Sequence, residues 1–182
     1  MSDPEPWKLL REEPLADYRV FRVKRETTLS PRTQKEHDFF VIECPDWVNV
    51  IALTPAQEMV MVRQYRHGTK QVSLEIPGGM MDPHETDPVA AALRELVEET
   101  GYIGHRPRHI GAIHPNPAVQ ENSCHTILVE DCTLRSELQL DPGEDIRVCL
   151  VPAADIPALI ANGTITHALT VVAYYYWLLK RG

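Results

Sequence analysis

Runs of apolar residues interleaved with polar ones fill the first 76 positions and predict strands over 17–25 (DYRVFRVKR), 37–43, 47–53, 58–65 and 71–76. The period then changes to that of a helix. Val89, Leu93, Leu96 and Val97 recur at about 100° per residue and form an apolar stripe. Strands near 109–113, 124–130 and 146–151 come next, followed by helices near 153–161 and 167–180 with Asn162-Gly163 between them. Strands, a helix, more strands and terminal helices predict an α+β sandwich. Ser30-Pro31-Arg32-Thr33 reads as a turn between two of the early strands.

The helix that follows residue 86 can be read closely. Asp87 is a good N-cap and Pro88 suits the first helical position, where its missing N–H costs nothing. Ala90 to Leu96 are strong helix formers, and Gly101 supplies the stop. Glu95, Glu98 and Glu99 fall at i, i+3 and i+4, which puts them on one face, opposite the apolar stripe. Ala91 and Ala92 flank them and are small enough for a loop or ligand to approach. Arg94, four residues before Glu98, is placed to brace a carboxylate. Three acids so close are destabilising unless a cation sits among them, and ligands that are all oxygen suit Mg²⁺ or Mn²⁺. A solvated acidic face would account for Glu98-Glu99 alone. It does not account for Gly78-Gly79, Glu85 and the small alanines together.

Composition narrows the class. A chain of 182 residues fits one domain with a substantial core. Eighteen basic against 26 acidic residues leave a net charge of −8, which argues against a general nucleic-acid or membrane-surface binder. Met1-Ser-Asp-Pro-Glu-Pro has no basic stretch or apolar core, so no signal peptide is expected, and no run reaches the length of a membrane span. Cys44, Cys124, Cys132 and Cys149 show no CxxC spacing and read as reduced thiols of a cytoplasmic protein. Adjacent Cys124-His125 is poor spacing for zinc, and a strand position explains the pair better.

The segment GGMMDPHETDPVAAALRELVEETGY, residues 78–102, resembles the Nudix box, G-x5-E-x7-R-E-U-x-E-E-x-G-U, where U is a bulky apolar residue. Gly79, Glu85, Arg94, Glu95, Leu96, Glu98, Glu99, Gly101 and Tyr102 fill the pattern. Eight residues separate Glu85 from Arg94 where the pattern has seven. The extra one falls at Thr86-Asp87, before the helix, so it lengthens the loop without rotating the glutamates. The resemblance implies a Nudix-type α/β/α sandwich with a mixed sheet and an N-terminal antiparallel β extension. It implies a metal held by Glu95, Glu98, Glu99 and the Gly78 carbonyl, with Glu99, Glu98 and Arg94 in the catalytic set.

The flanking segments are similar to those of ADP-ribose pyrophosphatases and related nucleotide-sugar hydrolases. Val62-Arg63-Gln64-Tyr65-Arg66 matches a Q-Y-R piece and Leu74-Glu75-Ile76-Pro77-Gly78-Gly79 an E-U-P-x-G piece. Arg66 at a strand end suits a phosphate, and Glu75 a ribose or amine; a surface salt bridge and a plain strand position are the competing readings. The loop 116–126 departs from the branch's S-P-G-type segment, and Asn122 and His125, with His114, are candidates to read the substrate. Glu144, in Asp141-Pro142-Gly143-Glu144, matches an acidic position that supplies a base; Pro142 stands where some members have a second glutamate. Residues 1–45 are expected to form an N-terminal β region used for homodimerisation, and 46–182 the hydrolase domain. The implied reaction is hydrolysis of the diphosphate of ADP-ribose or a related nucleoside diphosphate sugar. The alternatives are a pyrophosphohydrolase for nucleoside triphosphates, dinucleotides or coenzyme A, and a nucleotide-binding module without catalysis.

Overall fold

The computed structural model describes residues 3–140, 142–143 and 145–181. The chain divides into two compact units: Met1–Pro45 with His114–Asn122, and Asp46–Ile113 with Ser123–Gly182.

The first unit is an antiparallel meander of β1 (Lys8–Asp17), β2 (Arg22–Leu29) and β3 (Glu36–Glu43). The pattern over 17–25 is thus not one strand. Tyr18 donates to the Phe21 carbonyl at 2.9 Å and closes a turn between β1 and β2. β1 escapes pattern reading because nearly all its residues are exposed, so no apolar alternation is needed, and Pro14 sits at a register shift where a missing donor is tolerated. The expected turn at Ser30-Pro31-Arg32-Thr33 joins β2 to β3. Segment 114–122 docks on this unit: Ile42 donates to Val119 at 2.7 Å, and the Lys24 ammonium lies 2.9 Å from Glu121 and within 3.4 Å of Glu12 and Glu26.

The second unit holds two sheets. β10 (Ile146–Pro152), β5 (Glu58–Arg66) and β6 (Gln71–Glu75) are antiparallel; β7 (Gly78–Met80), β4 (Trp47–Ala52), β9 (Cys124–Leu134) and β8 (Tyr102–Ile113) form a mixed sheet in which β4 and β9 run parallel. Among the described residues the helices are α1 (Pro88–Thr100), between β7 and β8, and α2 (Ile156–Ala161) and α3 (Ala168–Lys180), after β10. The alternation along β4 explains the layering. Val48, Val50 and Ala52 pack with Leu96, Ala91 and Ala92 of α1, while Ile51 and Leu53 pack with Ile156, Ala173 and Trp177 of α2 and α3. Both sheet faces are therefore covered, and each fully buried aliphatic contributes on the order of 1.5–3 kcal/mol. This is the expected mixed-sheet architecture. β8 is longer than pattern reading suggests, because its first eight residues are mostly exposed and carry no apolar signal.

Candidate active site

β7 and α1 meet at the centre of the site. Gly78, at φ 156°, pairs with Asn49 of β4; a Cβ there would drive into the Val48 carbonyl oxygen and come within 2.8 Å of Asn49 Cα. At Gly79 a Cβ would stand 2.6 Å from Glu95 Oε1. The missing side chains let the helix settle against the strand. The Gly78 N–H then donates to Glu99 Oε2 at 2.8 Å.

α1 begins and ends where its sequence places the caps. Asp87 accepts from the Val89 N–H at 2.9 Å, Pro88 opens the helix, and Gly101, at φ 70°, donates to the Val97 carbonyl. The faces differ from the simple two-sided picture. Ala91, Ala92 and Leu96 are core residues, and Glu95 and Glu99 share their side of the helix at 9 % and 3 % exposure. Val89 and Leu93 are only partly buried. The alanines thus belong to the core rather than to an open approach. The reason is β7: its two glycines, Gly78 and Gly79, leave room for two carboxylates where apolar residues would otherwise pack.

Arg94 organises the acids. Its Nε and Nη2 each donate at 3.0 Å to the two oxygens of Glu85, and its Nη1 donates to Glu95 at 3.0 Å and Glu98 at 2.9 Å. The Asp82 N–H also donates to Glu85, at 2.7 Å. Arg94, backed by the Asp82 amide, holds the Glu85 carboxyl below its ordinary value. The lengthened loop therefore still delivers Glu85 to the arginine, as a brace.

Arg66 and Glu75 face each other. Arg66 Nε and Nη2 donate at 2.9 and 2.6 Å to the two oxygens of Glu75, which is 1 % exposed. Burial alone would raise the Glu75 pKa; the Arg66 fork, with His167 at 3.6 Å and Ser73, outweighs it and holds the carboxyl low. His167, at the start of α3, has its own pKa lowered by burial. Its Nδ1 lies 3.3 Å from Thr170 Oγ1, which accepts from the Ile76 N–H. No sequence signal pointed to His167.

His125 bridges Asp46 and His109, each at 3.2 Å. Asn122 belongs to the other unit and is 2 % exposed, and among the described residues neither amide atom has a hydrogen-bond partner. Glu144 lies outside the described residues. Among the described residues no three His, Cys, Asp or Glu side chains gather about one point as a ready metal cage. The donor chemistry nonetheless fits a hard divalent cation: two buried carboxylates, a third on the same helix, and the bare backbone of Gly78-Gly79 beside them.

The sequence matches the NUDIX domain family over residues 45–171. It is 32 % identical over 141 residues to an ADP-ribose pyrophosphatase of Bacillus subtilis, covering 77 % of this chain and 76 % of that protein. It is 34 % identical over 124 residues to an ADP-sugar pyrophosphatase of Mus musculus, covering 65 % and 56 %. It is 27 % identical over 174 residues to a methanol dehydrogenase activator of Bacillus methanolicus, covering 95 % and 93 %. Among solved structures an ADP compounds hydrolase superposes with a TM-score of 0.85 at 21 % identity, over 100 % of this chain and 99 % of that one, a likeness of fold.

Proposed function

The chain belongs to the Nudix family of hydrolases, and from that premise we propose that it cleaves the diphosphate linkage of ADP-ribose or a related nucleoside diphosphate sugar. The products are a nucleoside monophosphate and a sugar phosphate. The observation that carries the reading is the pair of buried carboxylates, Glu95 and Glu99, set against the side-chain-free Gly78-Gly79 strand and braced through Arg94. The choice of substrate is supported by the relatives named for ADP-ribose and ADP-sugars.

Nudix hydrolases generally use divalent metals. Glu95, Glu98, Glu99 and the Gly78 carbonyl would hold Mg²⁺, or Mn²⁺ in its place. Such an ion neutralises phosphate charge and lowers the pKa of bound water. The protein's own groups do the rest. Arg94 keeps Glu95 and Glu98 oriented, and the Gly78 N–H fixes Glu99. Arg66, gripped by Glu75 and 42 % exposed along its side chain, is proposed to orient the diphosphate. Water adds to one phosphorus, the bond from that phosphorus to the bridging oxygen breaks, and the departing phosphate takes that oxygen. Glu144 is the proposed acceptor of the water's proton.

A homodimer formed through the N-terminal sheet is part of the proposal, supported by exposed Leu9, Leu15, Phe39 and Phe40 on that unit. A cytoplasmic setting is supported by the thiols of Cys124, Cys132 and Cys149, none of which is in a disulfide. No described helix is long and apolar enough to cross a membrane. The test is Glu99→Gln, which keeps an acceptor for the Gly78 N–H and removes the charge. The variant is expected to fold and to lose nearly all metal-dependent turnover; full activity would overturn the reading.

A further inference from the structure

A second polar constellation stands on the sheet face that carries Glu95. Gly79, Val48, His125 and Ala112 lie side by side across β7, β4, β9 and β8. Side chains of residues paired this way point to one face, the face on which Glu95 sits over Gly79. His109, paired with Ile127 two residues along from His125, points the same way. His125 is thus two strand spacings, about 10 Å, from Gly79.

Asp46 Oδ2 lies 3.2 Å from His125 Nε2, and His125 Nδ1 lies 3.2 Å from His109 Nε2. Asp46 is itself held in place. Its Oδ1 accepts from the Ser123 N–H at 2.7 Å, and its backbone oxygen accepts from the Met81 N–H at 2.8 Å, at the end of β7.

Hydrogen-bond chemistry then sets every proton in the chain. A carboxylate only accepts, so His125 carries its proton on Nε2. Its Nδ1 is then a lone pair, and His109 donates to it from Nε2. The one proton of neutral His109 is used, and its Nδ1 is left as an acceptor. Two doubly protonated rings would set N–H against N–H at this contact. Burial, and then the neighbouring His125, hold the His109 pKa below its ordinary value and favour the neutral ring.

We propose that Asp46, His125 and His109 form a tautomer-locked relay whose outer atom, His109 Nδ1, accepts a hydrogen bond from a hydroxyl of the substrate's sugar half. His109 is the specificity-determining residue; Asp46 and His125 are positioning residues that fix its tautomer. A neutral lone pair suits a hydroxyl donor and is repelled by phosphate oxygens, which offer no proton. His109 lies one strand beyond His125, three strand spacings or roughly 14 Å from Gly79, so the hydroxyl it reads belongs to the end of the sugar half remote from the diphosphate. This inference rests on the diphosphate-sugar reading of the acidic site.

The experiment compares ADP-ribose with its analogues singly deoxygenated on the terminal ribose, in the wild type, His109→Leu and His109→Asn. In the wild type one analogue is expected to fall about three- to tenfold in kcat/KM. In His109→Leu that ratio collapses to one, and in His109→Asn, whose Oδ1 replaces the lone pair, part of it returns. ¹⁵N spectra of the imidazoles are expected to show both rings protonated at Nε2, and Asp46→Ala to mix the tautomers. A wild type that hydrolyses ADP-ribose while His109→Leu keeps the full ratio overturns the relay alone, as does a His109 protonated at Nδ1. A wild type that hydrolyses no diphosphate sugar overturns the reading of the acidic site and the relay with it.

Discussion

Adding one methyl group to each glycine of the Gly78-Gly79 pair is expected to separate folding from catalysis. In Gly78→Ala the new Cβ meets backbone: the Val48 carbonyl oxygen, and Asn49 Cα at 2.8 Å, in a conformation at φ 156° that a side chain rarely adopts. Backbone in a paired strand cannot step aside. Overpacking of about 1–3 kcal/mol adds to backbone strain of about 1–3 kcal/mol, for a loss of roughly 2–6 kcal/mol. For a chain of this size that lowers Tm by roughly 4–24 °C. In Gly79→Ala the new Cβ meets only the far end of Glu95, at 2.6–2.9 Å, and that carboxylate can swing away. Stability is expected to change by about 1 kcal/mol, the lower end of overpacking costs, because the displaced group is the end of a side chain. Turnover falls at least about tenfold, because Glu95 leaves the position that Arg94 holds it in. Urea unfolding followed by circular dichroism gives the first quantity, and release of nucleoside monophosphate gives the second. The reasoning is refuted if Gly79→Ala retains full turnover, or if it unfolds as readily as Gly78→Ala.

Other expectations follow from the same contacts. Arg66→Met leaves Glu75 buried without its fork. The loss is about 2–3 kcal/mol at pH 7, below the full cost of breaking a buried pair because Arg66 is 42 % exposed; unchanged urea unfolding would contradict it. The folded-state pKa of Glu75 is depressed, so its stabilising contribution is fully present above the ordinary value of 4.5 and is lost as pH falls through the folded value. Glu75→Gln should therefore flatten the dependence of stability on pH below about 4.5, read from unfolding curves between neutral and acid pH. Burial pushes the Cys124 and Cys132 thiols up to about 12, so both should resist iodoacetamide at pH 8 in the native protein and react once it is unfolded; mass spectrometry of the labelled chain decides. Arg94→Lys keeps one charge but cannot grip Glu85 in a fork while reaching Glu95 and Glu98, so turnover should fall more than stability.

What the sequence shows of this protein is local. The bounds of α1 can be read from Asp87-Pro88 and Gly101, because caps act on the residues beside them. The central strands β4 and β5 can be read from their apolar runs. β1 and the first part of β8 cannot, since exposed strands carry polar residues on both faces. Burial of Glu95 and Glu99 depends on the closeness of β7, a tertiary fact that helical spacing alone reverses. The bond between Arg66 and Glu75 joins neighbouring strands in a register that sequence does not state. Asp46, His109 and His125 are scattered over 80 positions and come together only through the β4–β9–β8 pairing.

Everything proposed for this protein turns on hydrolysis of a diphosphate sugar. ADP-ribose incubated with the protein and Mg²⁺, with phosphorus NMR of the products, tests it most directly. The two diphosphate resonances are expected to disappear and those of two phosphomonoesters, AMP and ribose 5-phosphate, to replace them, only when a divalent cation is present and only with Glu99 intact. Persistence of the diphosphate with the intact protein and Mg²⁺ would contradict it.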